Sequence, residues 1–242
     1  RNLSVRWSAD DGETWSAGKT LEPGWSMYSD IAVTPAGTIL CFYGNGPKRD
    51  FAGDRLTVAR FNLAWLRDDA SHAARAESAR IFMPHGRDRR DFIGPHAVEL
   101  PSGDLLMSAP WGRPPADTAE LIVNRHPVPN LYRSTDHGRT WNDEGPLPVR
   151  WPFTGYVSDG GVTLRRLADG RIALLMHRHV IGFKGGGLPV ICFSSDDGRT
   201  WTEPTLIGDP ADDAAWYVMN DRLVQARSGR LLVPVARALG AE

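Results

Sequence analysis

The chain has 242 residues, 41% of them hydrophobic, with nine Trp, and its 28 basic residues face 29 acidic ones for a formal charge of −1. That composition excludes a disordered chain, and the lack of a sustained Lys/Arg run argues against a nucleic-acid partner. No stretch reaches the roughly 18 apolar residues of a transmembrane helix, so no membrane span is expected.

Eighteen Pro and 25 Gly are spread along the chain, which predicts many short strands rather than long helices. The start, Arg1-Asn2-Leu3-Ser4, reads as neither an initiator nor a signal peptide, so the expectation is a trimmed, processed or partial chain with no compartment indicated. Leu3 to Trp7 is the first strand, followed by the turn Ser8-Ala9-Asp10-Asp11-Gly12-Glu13-Thr14-Trp15. Ile31 to Val33 and Thr38 to Leu40 flank a turn ending at Gly37, and Asp54 to Leu66 supplies a further strand. Arg67 to Arg90, rich in Asp, Ala and Arg, reads as an irregular connection with a short helix. Ala97 to Leu100 precedes the turn at Gly103, and Leu131 to Arg133 leads into a second turn, Ser134-Thr135-Asp136-His137-Gly138-Arg139-Thr140-Trp141. Val162 to Leu164 precedes Gly170, Leu188 to Phe193 leads into Ser194-Ser195-Asp196-Asp197-Gly198-Arg199-Thr200-Trp201, and Leu223 to Gln225 precedes Gly229. Cys41 and Cys192 sit inside apolar runs, where a thiol behaves as a small hydrophobe, and read as two separate buried thiols.

Two repeats interleave. The pattern S-x-D-x-G-x-T-W occurs three times, after a strand each time. Its Ser and Asp oxygens suit backbone N–H groups within a turn, its Gly supplies a positive φ, and its Trp covers the turn, so each copy joins two antiparallel strands. The turn glycines Gly37, Gly103, Gly170 and Gly229 stand 66, 67 and 59 residues apart. Two hairpins per period of about sixty residues give four strands per unit, the content of a propeller blade. The boxes at 134 and 194 lie one period apart and those at 8 and 134 two, so one unit has lost its box. The division is therefore 1–66, a boxed turn followed by a second unit; 67–91, the connection; and 92–242, further blades.

These boxes resemble those of the sialidase (neuraminidase) superfamily, and the likeness covers nearly the whole chain. It implies an all-β, six-bladed propeller of which about four blades are present, with the boxes at the blade periphery. Tyr28-Ser29-Asp30-Ile31, Leu40 to Tyr43 and Val58 to Leu63 resemble the closing blade, in which the Tyr of a Tyr-Ser pair is the nucleophile. Gly44 stands where an acidic residue often follows. Pro95-His96-Ala97, Arg113 and Asp117 to Val123 resemble the opening blade, which implies Asp117 as acid/base; Ile93 occupies the place of that blade's first Arg. The implied reaction is retaining exo-hydrolysis of sialylated or related acidic glycans, with no cofactor and no catalytic metal.

Propeller geometry sets the start of each innermost strand at one end of the central channel, where ligands bind. Those segments carry Tyr28 and Asp30, Asp91, Tyr156 and Asp159, and Tyr217, Asp221 and Arg222, a set of carboxylates and phenols suited to a polyhydroxylated sugar. An anomeric carbon bearing a carboxylate repels an Asp or Glu nucleophile, which favours Tyr. A phenol of pKa about 10 then needs a base, for which Glu99 is a candidate, and guanidinium groups clamp the substrate carboxylate. The candidate site is thus Tyr28 and Asp117 as catalytic residues, with Arg113, Arg178, Arg222, Asp30, Asp159, Asp221 and Tyr217 binding substrate. His177-Arg178-His179 lacks a third ligand at metal spacing, and Lys184-Gly185-Gly186-Gly187 lacks the strand-to-helix context of a phosphate loop. Two other functions fit the same fold: a non-catalytic glycan-binding propeller that has lost the arginine cluster, favoured by Ile93, and a protein-interaction platform.

Overall fold

The computed structural model describes residues 2–46, 55–69, 76–81, 96–109, 130–149, 155–180, 188–209, 215–218 and 223–238. The chain is all-β, and three complete four-stranded antiparallel sheets follow one another along it. The first runs β3 (Trp25–Val33), β4 (Thr38–Gly46), β5 (Arg55–Asn62), β6 (Ala76–Ile81), with α1 (Leu63–Arg67) between its last two strands. The second runs β7 (His96–Glu99), β8 (Leu105–Ala109), β9 (Asn130–Ser134), β10 (Asn142–Pro146). The third runs β11 (Gly155–Arg166), β12 (Ile172–Val180), β13 (Leu188–Ser194), β14 (Thr205–Leu206). Before them β1 (Leu3–Val5) pairs with β2 (Lys19–Glu22); after them β15 (Ala215–Tyr217) pairs with β18 (Ala236–Ala238), and β16 (Val224–Gln225) with β17 (Leu231–Leu232). The period of about sixty residues therefore does yield four strands per unit. β6 falls inside the stretch expected to be irregular, and the helix ends at the first residue of that stretch, Arg67.

The sheets stack through both faces, which explains why their strands are continuous apolar runs rather than alternating ones. Leu40 and Phe42 pack against Leu105, Met107 and Tyr132 of the next sheet, while the residue between them, Cys41, packs with Tyr43 toward Val5 on the other face. Likewise Leu106 meets Leu174 and Met176, while Ala173 and Leu175 turn toward Val218 and Leu223. Period-2 side chains thus feed two neighbouring interfaces from one strand. Each enclosed Leu or Phe contributes on the order of 1.5–3 kcal/mol.

Four turns share one hydrogen-bonding scheme. The amides of Gly37, Gly103, Gly170 and Gly229 donate to the carbonyls of Thr34, Leu100, Leu167 and Ala226, whose own amides donate to the residue after each glycine. All four glycines have φ between 77 and 88°, a region side chains with a Cβ avoid. These turns set the first strand of every unit in one register. Of the first strands, β3 lies against β7 and β7 against β11. Among the described residues β1 pairs with β2 and β17 with β16, so no ladder joins the first strand to the last hairpin. The outward face of β3 leaves Ile31 53% and Val33 61% exposed.

Candidate functional site

The site is built where β3 and β7 begin. β3 carries a bulge: Met27 pairs with Gly44 and Ser29 with Tyr43, which leaves Tyr28 as the extra residue. Tyr28 has φ 46°, a left-handed conformation that costs a bulky residue on the order of 1–3 kcal/mol and collects at functional positions. Its side chain is half-buried. Two residues on, Asp30 pairs with Phe42, and its Oδ1 accepts the Ile31 amide at 2.8 Å.

Asp30 Oδ2 lies 3.5 Å from Nδ1 of His96, the first residue of β7. Both side chains are largely enclosed, at 18% and 6% exposure, and Nδ1 makes no hydrogen bond. The contact follows from the turn register: Asp30 and His96 each stand seven residues before their turn glycines, Gly37 and Gly103. Blades that share a register bring equivalent positions to one level around the centre. The same count reaches Thr163, which is fully buried, and Arg222, which lies outside the described residues. His96 is the site residue that sequence reasoning missed. The signal was present, because aligning the units on their glycines rather than on strand starts sets it beside Asp30.

Glu99 is not placed to act with this group. It stands three residues beyond His96, about 10 Å farther along β7 and on the alternate face. Its carboxyl is pushed upward by burial, against the pull of Arg166 and His137. Asp159, Arg178 and Tyr217 lie on β11, β12 and β15, and their side chains are outside what the structure describes. Arg113, Asp117, Asp221 and Arg222 also fall outside the described residues, as do Asp91 and Lys184 to Gly187. His177 is buried at 3%. Among the described residues no three metal-ligating side chains gather. No described helix is long and apolar enough to cross a membrane.

The three boxes lie at strand ends, between β1 and β2, β9 and β10, and β13 and β14. In each the Ser hydroxyl donates to the Asp carboxylate and accepts the Gly amide, while the Asp accepts the Thr amide and hydroxyl. The Ser hydroxyl and Asp carboxylate of each box are engaged within their own turn, so these residues belong to the scaffold.

No family model matches the chain. A sialidase of Micromonospora viridifaciens is 38% identical over 63 residues, which is 26% of this chain and 9% of that protein. A solved protein of unknown function from Dyadobacter fermentans superposes with a TM-score of 0.57 at 18% identity, over 96% of this chain and 63% of that one. A mutant NanB sialidase from Streptococcus pneumoniae gives 0.59 at 17% identity, over 97% of this chain and 32% of that one. The chain spans less than two thirds of each of these proteins, and at such identities the solved structures speak to the fold. Local identity to a sialidase and a shared propeller fold together support a sialidase-like superfamily for this chain.

Proposed function

We propose that the chain belongs to a glycan-acting propeller with sialidase-like chemistry, a retaining exo-glycosidase for sialylated or related acidic glycans. The observation that carries the reading is Tyr28, held at φ 46° on a bulge of an innermost strand two residues before Asp30, whose carboxylate lies 3.5 Å from the His96 imidazole. Tyr28 is the nucleophile, Asp117 the acid/base, and Arg113, Arg178 and Arg222 with Asp30, Asp159, Asp221 and Tyr217 hold the sugar. The phenol oxygen, its proton taken by a base, attacks the anomeric carbon as Asp117 protonates the leaving oxygen. Water then displaces Tyr28, giving a proton to Asp117, while the Tyr28 oxygen recovers the proton held by the base.

Tyr28→Phe removes the attacking oxygen and is expected to lower kcat on an aryl sialoside by at least about 1,000-fold, with the thermal midpoint changed little. Parent-like turnover by that variant ends the assignment. Ile93, where the family has an Arg, favours a second reading, a propeller that binds glycans without cleaving them. In that case calorimetry detects binding of a sialoside while the parent releases no aglycone.

A further inference from the structure

We propose that the two incomplete units of this chain complete each other between copies, the last hairpin of one copy pairing with β1 of a second. β1 leads into a box, as β9 and β13 do, so β1 and β2 are the third and fourth strands of a unit. β16 and β17 flank Gly229 as β7 and β8 flank Gly103, so the last hairpin is a first and second strand. The two pieces are the outer and inner halves of one kind of unit. One copy does not join them itself: among the described residues β1 pairs with β2 and β17 with β16.

The faces of the two pieces match. In the complete sheets the residue three after a turn glycine (Leu40, Leu106, Ala173) packs against the unit that follows. Residues two and four after it, such as Leu105 with Met107 and Ile172 with Leu174, pack against the sheet that precedes. In the last hairpin Leu231 and Val233 meet the third sheet in the same way. Leu232, three after Gly229, and its ladder partner Val224 are left 47% and 45% exposed. On the first sheet it is the preceding side that is bare. Ile31 stands six residues before its turn glycine, as do Ala97, Leu164 and Leu223, which all pack against a neighbouring sheet. Val5 covers the outer half of that side against Cys41 and Tyr43. A second copy's hairpin beside β1 sets Val224 and Leu232 onto Ile31, covering two exposed apolar patches and pairing an open strand edge. The boxes show the same gap: Trp141 and Trp201 pack against the sheet before their own, whereas Trp15 is 59% exposed. In the joined unit Trp15 gains the third sheet of the other copy.

The register follows from the complete sheets. Ser134 pairs with Leu105 and Ser194 with Ile172, each two residues after a turn glycine. Ser8 therefore faces Leu231, and along the antiparallel ladder Ser4 faces Val235. The contact joins different surfaces of the two copies, so they associate head to tail.

The test uses the 242-residue chain. Copies carrying Ser4→Cys are mixed with copies carrying Val235→Cys and oxidised; the native thiols are buried and do not compete. Directly opposed residues of an antiparallel ladder lie within disulfide reach, so a linked pair of chains is expected, identified by peptide mass analysis. Ser4→Cys mixed with Leu232→Cys, three residues out of register, should link at least about 10-fold less. Light scattering over a dilution series should show the parent as two copies or more at the concentrated end. Leu232→Lys, at a half-exposed position that leaves the single copy folded, should raise the dissociation constant at least about 10-fold. A parent that stays single at every dilution, a link that forms only within one chain carrying both cysteines, equal linking out of register, or association indifferent to Leu232→Lys overturns the proposal.

Discussion

The turn that closes β9 and the turn that closes β5 do the same topological job with different chemistry. After β9, Ser134 and Asp136 clamp the backbone: Gly138 donates to Ser134 Oγ at 2.7 Å and Thr140 to Asp136 Oδ1 at 2.8 Å. Trp141 then lies edge-on to Phe42 of the preceding sheet, with centroids 5.8 Å apart. After β5 there is no box. Asn62 caps α1 by accepting the Trp65 amide at 2.8 Å, and Asp68 ends it in the left-handed conformation at φ 57°. Lys19 of β2 donates to both the Trp65 carbonyl and Asp68. The difference shows what the box is for. It is a compact polar clamp with a glycine pressed onto the sheet before it, and a single helical turn substitutes where Trp65 and Leu66 fill the same gap.

The sharpest way to break the comparison is at the glycine. A Cβ on Gly198 would lie 2.5 Å from Leu106 Cδ2, at a φ of 83° that already disfavours a side chain. Gly198→Ala is therefore expected to cost about 2–4 kcal/mol, read from denaturant midpoints, with the second and third sheets loosening together. Loss of under about 1 kcal/mol would mean that the box does not set the spacing between sheets.

A smaller effect is expected at the clamp. Burial pushes the Asp136 carboxyl upward, but hydrogen bonds from Thr140, Ser134 and Arg139 outweigh it and bring the group down to about 2. Asp196 is also held at about 2, chiefly by Thr200. A carboxyl lowered on folding stabilises above its unfolded value of about 3.9, and that contribution disappears as the pH falls toward 2. Asp136→Ala should cost about 1–2 kcal/mol near neutrality, discounted for solvent screening, and the gap between variant and parent should close between about pH 4 and pH 2. A gap independent of pH over that window rejects the clamp.

The least change is expected at the substitute. Asn62→Ala removes a helix cap and should cost about 1 kcal/mol, with no added dependence on acid pH. If it costs as much as Gly198→Ala, the helical turn is no mere filler but the stronger of the two devices.

Most of this architecture could be read from the chain because it repeats. Three boxes and four turn glycines fix the period, and the period fixes four strands per blade. What could not be read does not repeat. α1 hides because Asn62 continues the strand Arg55–Asn62 while acting as a cap, so strand and helix signals overlap on one residue. β6, Ala76–Ile81, has no alternation of apolar and polar residues; it forms by pairing with β5 at the sheet edge. In the candidate site Tyr28 and Asp30 were recognisable from their place on an innermost strand, whereas His96 needed contact across two sheets. Its sequence neighbours Pro95 and Ala97 carry no charge to draw attention to it.

The two thiols, described so far only as core, also make the molecule readable. Cys41 belongs to the sheet without a box and Cys192 to one with it; both are buried, and burial holds each at about 12. Neither is available to an alkylating reagent while its sheet is intact, because attack needs an exposed thiolate. Modification therefore proceeds only through opening, and the chain carries one chemical reporter in each kind of blade. Timed alkylation followed by peptide mass analysis yields two opening rates from one unmutated sample, so the helical turn and the box can be ranked as fastenings without altering either.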